Sequence, residues 1–354
     1  MTDAPFVPQD PKRILLIYTG GTIGSVHDGE AGGLVPIDFS EITEHVPELE
    51  QPSRVVETVS FDPPIDSSNI APMHWVRLAR TIEQRYAEFD GFVILHGTDT
   101  LAYTASALSF MLSGLHKPVI LTGSQLPIGL PRTDGRENLL AAVEIATADR
   151  FGAPIVQEVA VYFGNSLYRG NRSHKASAES LQAIISPNLP PLAEAGVDII
   201  YDYAAFWDDP DEHLRVHANM ESRVAWLSFF PGMSVDLIRR VTEWPDLKGL
   251  VLSTFGSGNA PSGPLLKSAL QDAHDRGVTM VNVSQCGHGA VHPERYATAH
   301  LLRDCGVIAG GDMTTEAALT KLMSLLGRGL GPDDIREGML ANLRGERTVW
   351  SALD

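Results

Sequence analysis

ILLIYTGGTIG at residues 14–24 and GFVILHGTDT at residues 91–100 are the two stretches that decide the fold. Each is a short apolar run ending in Gly and Thr. That is the pattern of a strand buried on both faces of a parallel sheet. Each delivers hydroxyl residues to the strand's carboxyl end, the edge at which open α/β sheets bind their ligands. Two threonines, Thr22 and Thr98, with Asp99 at one rim point to hydroxyl-based nucleophilic chemistry rather than to cofactor chemistry. A dinucleotide site is not expected. GGTIG (20–24) departs from G-x-G-x-x-G, no acidic residue follows at the usual strand end, and no G-x-x-x-x-G-K followed by Ser or Thr occurs.

Outward from these runs, strand-like and helix-like segments alternate over residues 14–163. Strands are expected at 93–95, 119–122 and 159–163, and helices at 72–86, 101–114 and 137–148. Such alternation builds an α/β fold, a mostly parallel sheet with helices on both faces in the Rossmann-like manner. Thr100 is placed to cap the helix that begins at Leu101, so Thr98 and Asp99 precede a helix amino terminus, which favours a carboxylate or developing negative charge. The texture changes at SPNLPP (186–191) and WDDPDE (207–212), which read as irregular connection. New strands are expected at 224–230, 249–254 and 278–283, and helices at 234–241, 264–276 and 315–327. The expected organisation is an amino-terminal catalytic α/β domain over 1–190, a connection over 191–222 and a smaller α/β domain over 223–354.

A chain of 354 residues with 44% hydrophobic and 20% charged residues is ordinary for a globular protein and long enough for two cores. Its net charge of −17 opposes nucleic acid as a main partner, because phosphate binding needs clustered Lys and Arg. The two cysteines, Cys286 and Cys305, form neither a disulfide framework nor a zinc motif, and no metal is expected. The start, MTDAP, lacks a basic region and an apolar core, and no apolar run nears the roughly 18 residues of a membrane span. The expectation is a cytoplasmic protein without a membrane partner.

Six segments in order, YTGGTIG (18–24), DSS (66–68), LHGTDT (95–100), TGSQ (122–125), RGNRSHK (169–175) and GNAP (258–261), resemble the bacterial cytoplasmic (type I) L-asparaginases over nearly the whole chain. The resemblance implies hydrolysis of L-asparagine to L-aspartate and ammonia without a cofactor. It also implies a homo-oligomer, a dimer or a dimer of dimers, in which a neighbouring subunit completes each site. Thr22 would be the nucleophile and form an acyl-enzyme. Lys175, partly withdrawn from water, would accept a proton through Thr98. Asp99 would bind the substrate's α-ammonium and polarise Lys175. Ser67, with Ser68 beside it, would hold the α-carboxylate, Ser124 would face the leaving amide through its backbone, and Asn259 would approach the neighbour's pocket.

The chain departs from this pattern in its lid. The family places a tyrosine there that contacts the nucleophile; GSVHDGEAGGLVP (24–36) has Leu34 at that position. Gly29, Gly32 and Gly33 keep the hinge character. Either His27 or Asp28 supplies a replacement, or Thr98 with Lys175 carries more of the work, or the protein is a weak enzyme or amino-acid sensor. A further alternative, the asparaginase-like subunit of a tRNA-dependent amidotransferase, is opposed by the acidic charge and by a first strand beginning at Ile14. SQCGHG (284–289) resembles the lining of a second, regulatory asparagine site, but His174 stands where a small hydroxyl residue is usual.

Substituting Leu34 by Tyr is expected to raise kcat if the missing phenol is a real defect, since a positioned proton-transfer group contributes about 10²–10⁴-fold. If His27 or Asp28 has taken over, Leu34→Tyr is neutral or harmful, and His27→Ala or Asp28→Ala costs at least about tenfold. Steady-state kcat and KM of the three variants separate the two accounts.

Overall fold

The computed structural model describes residues 10–28, 33–36, 42–292 and 297–349, with the backbone alone at 25–28, 33–36, 43–44 and 297–299. Strand β1 (Lys12–Tyr18) is completely buried from Ile14 to Ile17, as its unbroken apolar run requires. A hairpin follows, β2 (Ser25–Asp28) against β3 (Gly33–Pro36), and then β4 (Arg54–Ser60) returns parallel to β1. Helix α1 (Pro72–Arg85) crosses to β5 (Gly91–Leu95), which pairs parallel with the opposite side of β1, Tyr18 facing Leu95. Helix α2 (Leu101–Met111), buried almost all round, leads to β6 (Val119–Thr122), and α3 (Gly135–Thr147) leads to β7 (Val159–Phe163). The chain therefore reverses its direction of progress at β1, and the crevice beyond β1 and β5 is a topological switch point.

Antiparallel strands extend this sheet. β8 (Ser166–Arg169) pairs with β7; β9 (His174–Lys175) and β10 (Ile184–Ile185) form a separate pair; β11 (Ala193–Ala195) and β12 (Ile199–Tyr201) complete the edge. The eight-stranded order is β12-β11-β8-β7-β6-β5-β1-β4. The stretch 191–222, read from sequence as connection, thus carries two strands of the main sheet. On one face Leu16, Tyr18, Val93, Leu95 and Ile120 pack with Leu139, Ala142 and Val143 of α3. The alternate residues Leu15, Ile17, Phe92, Ile94 and Leu121 are also buried, so both faces are covered.

The chain divides into two units, Met1–Ile185 with Pro190–Val216, and Ser186–Leu189 with His217–Asp354. The second holds a parallel sheet of β13 (Val224–Ser228), β14 (Gly249–Thr254), β15 (Thr279–Ser284) and β16 (Ile308–Ala309). Helices α4 (Val235–Thr242) and α5 (Pro264–Asp275) bury Ile238, Leu266 and Leu270 against Leu250, Leu252 and Met280. The short crossing at 186–189 is fixed within this unit: Asn188 Nδ2 donates to Asp312 O (3.0 Å) and Gly289 O (3.2 Å), and its Oδ1 accepts from Gly289 N (2.9 Å).

Helix α6 (Ala297–Asp304) precedes β16, and α7 (Thr315–Gly327) and α8 (Pro332–Leu340) follow it. Within α7 stands a charge with no access to water. Lys321 forms an ion pair with Glu346 and donates to Ala341 O (2.6 Å) and Met339 O (3.2 Å). The Glu346 carboxylate in turn accepts the backbone N–H of Leu343 (3.0 Å) and Arg344 (2.7 Å). All three ammonium donors are used, which is what makes a fully buried lysine tolerable. Lys321→Met, which leaves a buried carboxylate unpaired, is expected to lower stability by about 3–5 kcal/mol. Arg80→Ala, which breaks an exposed pair with Glu83, is expected to cost less than about 1 kcal/mol. Urea unfolding followed by intrinsic fluorescence measures both.

Candidate active site

Beyond β1 the chain must turn at once, and it does so on two glycines with positive φ, Gly20 at 129° and Gly21 at 94°. Thr19 anchors the turn by donating its N–H (3.0 Å) and its hydroxyl (2.9 Å) to Leu95 O at the end of β5. A Cβ on Gly21 would lie 2.6 Å from the Gly97 Cα, and one on Gly97 would lie 2.6 Å from the Ser67 Oγ. Three turns therefore meet backbone to backbone or backbone to hydroxyl: the one carrying Thr22, the one carrying Thr98 and Asp99, and the one carrying Ser67. Thr22 opens a single 3-10 turn, Thr22–Gly24, and remains half-buried. The Tyr18 phenol lies beneath that turn, 3.4 Å from both the Gly21 and Gly24 carbonyls, and burial pushes its pKa up to about 12, so it stays a neutral donor.

The turn 66–69 is held by the Asp66 carboxylate, which accepts Ser68 N at 3.0 Å. Ser67 is buried and Ser68 exposed. Thr100 does not cap α2 with its side chain. Its hydroxyl donates to Ser67 O (2.7 Å) instead, while its carbonyl accepts Thr104 N (3.0 Å). The expected cap is thus spent on clamping the Ser67 turn to the Thr98 turn.

Thr98 and Lys175 come together from residues 77 apart. Lys175 Nζ lies 2.8 Å from Thr98 Oγ1 and 2.5 Å from Asp99 Oδ1. Lys175 sits on β9, held in register against Ile184, and its side chain is 18% exposed, whereas that of Asp99 is 65% exposed. Asp99 therefore faces solvent while Thr98 is almost covered. Ser124 is buried and donates its hydroxyl to Leu126 O (2.6 Å), leaving its backbone as the group on offer at the β6 end.

Asn259 belongs to the second unit. It closes a turn after β14 by bridging to Phe255, whose N–H donates to Asn259 O (2.9 Å). In the lid, His27 pairs with Leu34 across the β2–β3 hairpin. Positions 29–32 and the side chains of His27, Asp28 and Leu34 lie outside the described residues. Among the described residues, no cluster of His, Cys, Asp or Glu is arranged to hold a metal, and no helix is long and apolar enough to cross a membrane.

Two residues inside the quoted motifs carry more than sequence reading gave them. One is Gln125, whose amide oxygen accepts the Thr98 hydroxyl at 3.0 Å. The other is His96, completely buried between β5 and α2. Its Nδ1 lies 2.7 Å from Gly97 O, and its Nε2 lies 2.9 Å from Thr104 Oγ1, which also accepts Trp75 Nε1 (3.0 Å). A carbonyl only accepts, so Nδ1 carries the proton and Nε2 receives the Thr104 hydroxyl. The neutral ring is satisfied on both sides and fixes the Gly97 peptide against which Gly21 rests.

Burial pushes His96 down from its ordinary 6.5 to about 4, with the bond to Gly97 O opposing the shift. The unfolded ring takes up a proton near 6.5 and the folded one only near 4. Stability from this group is present above the higher value and is lost as pH falls toward the lower one. The loss between them is expected to reach about 3 kcal/mol, and His96→Gln removes it. Melting temperatures of wild type and variant across that window, compared with those at neutral pH, measure the difference.

Comparison with known proteins places this geometry in a family. Residues 13–206 match the profile "Asparaginase, N-terminal", and residues 223–339 match "Glutaminase/Asparaginase C-terminal domain". The chain is 44% identical over 340 residues to L-asparaginase 1 of Escherichia coli (strain K12), covering 95% of this chain and 98% of that one. Among solved structures, L-asparaginase I from Vibrio cholerae O1 biovar eltor str. N16961 superposes with a TM-score of 0.86 at 41% identity, over 96% of this chain and all of that one. The thermostable L-asparaginase from Thermococcus kodakarensis does so with a TM-score of 0.87 at 33% identity, again over 96% of this chain and all of the other. With both halves matched in order and the relatives aligned over nearly their full length, the chain belongs to the asparaginase family.

Proposed function

We propose that this enzyme hydrolyses the side-chain amide of L-asparagine to give L-aspartate and ammonia. The observation that carries the reading is the placement of Lys175 Nζ 2.8 Å from Thr98 Oγ1 and 2.5 Å from Asp99 Oδ1, on the rim that the Gly21–Gly97 contact joins to Thr22. Thr22 Oγ attacks the amide carbon as its proton passes to Thr98, and Thr98 gives its own proton to a deprotonated Lys175. The C–N bond then breaks, the relay returns the proton to the leaving nitrogen, and ammonia departs. A water repeats the sequence on the resulting ester, releases aspartate and restores Thr22.

Asp99, exposed on the rim, pairs with the substrate's α-ammonium. Ser67, with the Ser68 backbone, takes the α-carboxylate. The Ser124 backbone lies beside the leaving amide. Asn259 acts on the site of a neighbouring subunit, in a dimer or dimer of dimers working in the cytoplasm.

Thr22→Ala is expected to retain less than about a thousandth of wild-type kcat, since loss of a covalent nucleophile leaves only binding and electrostatic assistance. Lys175→Met and Thr98→Val are each expected to be severe, and their combination little worse than either, because groups of one relay are strongly non-additive. Ammonia release from asparagine by the four variants tests this. Activity of Thr22→Ala above about a tenth of wild type moves the nucleophile elsewhere, and losses that simply sum in free energy dissolve the relay.

A further inference from the structure

The hydrogen bonds around Thr98 have a direction that donor and acceptor chemistry settles without observed protons. Gln125 Nε2 faces the Ala178 carbonyl at 3.0 Å. A carbonyl cannot donate, so this contact fixes which end of the Gln125 amide is nitrogen. Its oxygen then faces Thr98 Oγ1 at 3.0 Å, and Thr98 must be the donor. The Lys175 ammonium, which has no acceptor, donates to Thr98 at 2.8 Å. The resting chain therefore runs from Lys175 through Thr98 to Gln125 and ends on Ala178.

We propose that Gln125 is a positioning residue that sets the direction of the Thr98 hydroxyl proton. Resting on the relay reading above, the proposal adds a control to it. To act as a relay, Thr98 must hand its proton to Lys175, so its O–H must swing from the Gln125 oxygen to Nζ. Gln125 holds the hydroxyl in the orientation that suits a protonated Lys175, and the competent orientation forms only at the expense of that bond. The amide is held firmly enough to do this. Besides its bond to Ala178, the Gln125 backbone N–H donates to Asp134 (2.9 Å), whose other oxygen accepts Leu126 N (3.0 Å) and which also meets Asn138 Nδ2 (3.4 Å). The charged groups facing the hydroxyl chain are thus Lys175 and Asp99 at one end and Asp134 behind the amide, and all three persist in the two Gln125 variants below.

The test is the pH profile of kcat/KM for asparagine. Gln125→Met keeps the length of the side chain and removes the acceptor. Its acidic limb is expected to move to lower pH by about half to one unit, the worth of one neutral hydrogen bond. Gln125→Glu supplies a stronger acceptor and is expected to move the limb to higher pH. This second variant reads the proposal if the first fails to fold. A uniform fall in kcat with the limb unmoved, or a limb that moves upward in Gln125→Met, overturns it. Lys175→Met separates this from the underlying mechanism: if it stays active, the relay itself fails, whereas if it is inactive and the limb is unmoved in Gln125→Met, only the role of Gln125 fails.

Discussion

The contact between Gly21 and Gly97 is the constraint on which the rest of this site depends. Two strand-end turns rest against each other with no side chain between them, and a single added methyl would drive its carbon to 2.6 Å from the facing Cα. Because β1 and β5 are neighbours in register, with Tyr18 opposite Leu95, any separation of the turns would also pull on the central ladder of the sheet. The sheet is buried on both faces and does not deform continuously. The position of Thr22 relative to Thr98 is therefore inherited from the fully buried centre of the sheet.

Behind this contact the polar groups divide by depth. Those furthest inside are neutral and fully paired: His96 with Gly97 and Thr104, and Tyr18 with the turn it supports. The charges beside Thr98 stand on the rim, on Asp99 and Lys175, while the one behind them, Asp134, is held by the backbone N–H groups of Gln125 and Leu126. A site that must accept a zwitterionic amino acid needs this order, because an ionised group in the support layer would have to be desolvated without a substrate to pair with. The hydroxyls stand between, and they are the groups that can both give and take a proton.

Much of the fold is legible in the sequence where burial is continuous. The strands at 119–122, 159–163 and 249–254 and the helix at 315–327 coincide with their expected limits, because apolar runs bounded by Gly, Pro or Thr have few other ways to bury themselves. The antiparallel additions Ala193–Ala195 and Ile199–Tyr201 are not legible. They are three residues long, follow a proline-rich stretch and take their order from the sheet edge already present. Thr100 shows the same limit at the site. A threonine before a helix reads as a cap, yet its hydroxyl is drawn to a carbonyl 33 residues away. Gln125 stands in a recognised motif, but its part in the hydrogen-bond chain depends on Ala178, which lies 53 residues further on.

The segment that crosses between the units ties their fates together. Ile184, the register partner of Lys175, is followed within four residues by Asn188, whose side chain is fastened to Gly289 and Asp312. Melting of the second unit releases Asn188 and leaves β10 anchored at one end only. The lysine then loses the rail that holds it in place while the sheet beneath Thr22 is still folded. Activity is accordingly expected to fall once the second unit melts, even where the sheet beneath Thr22 still holds.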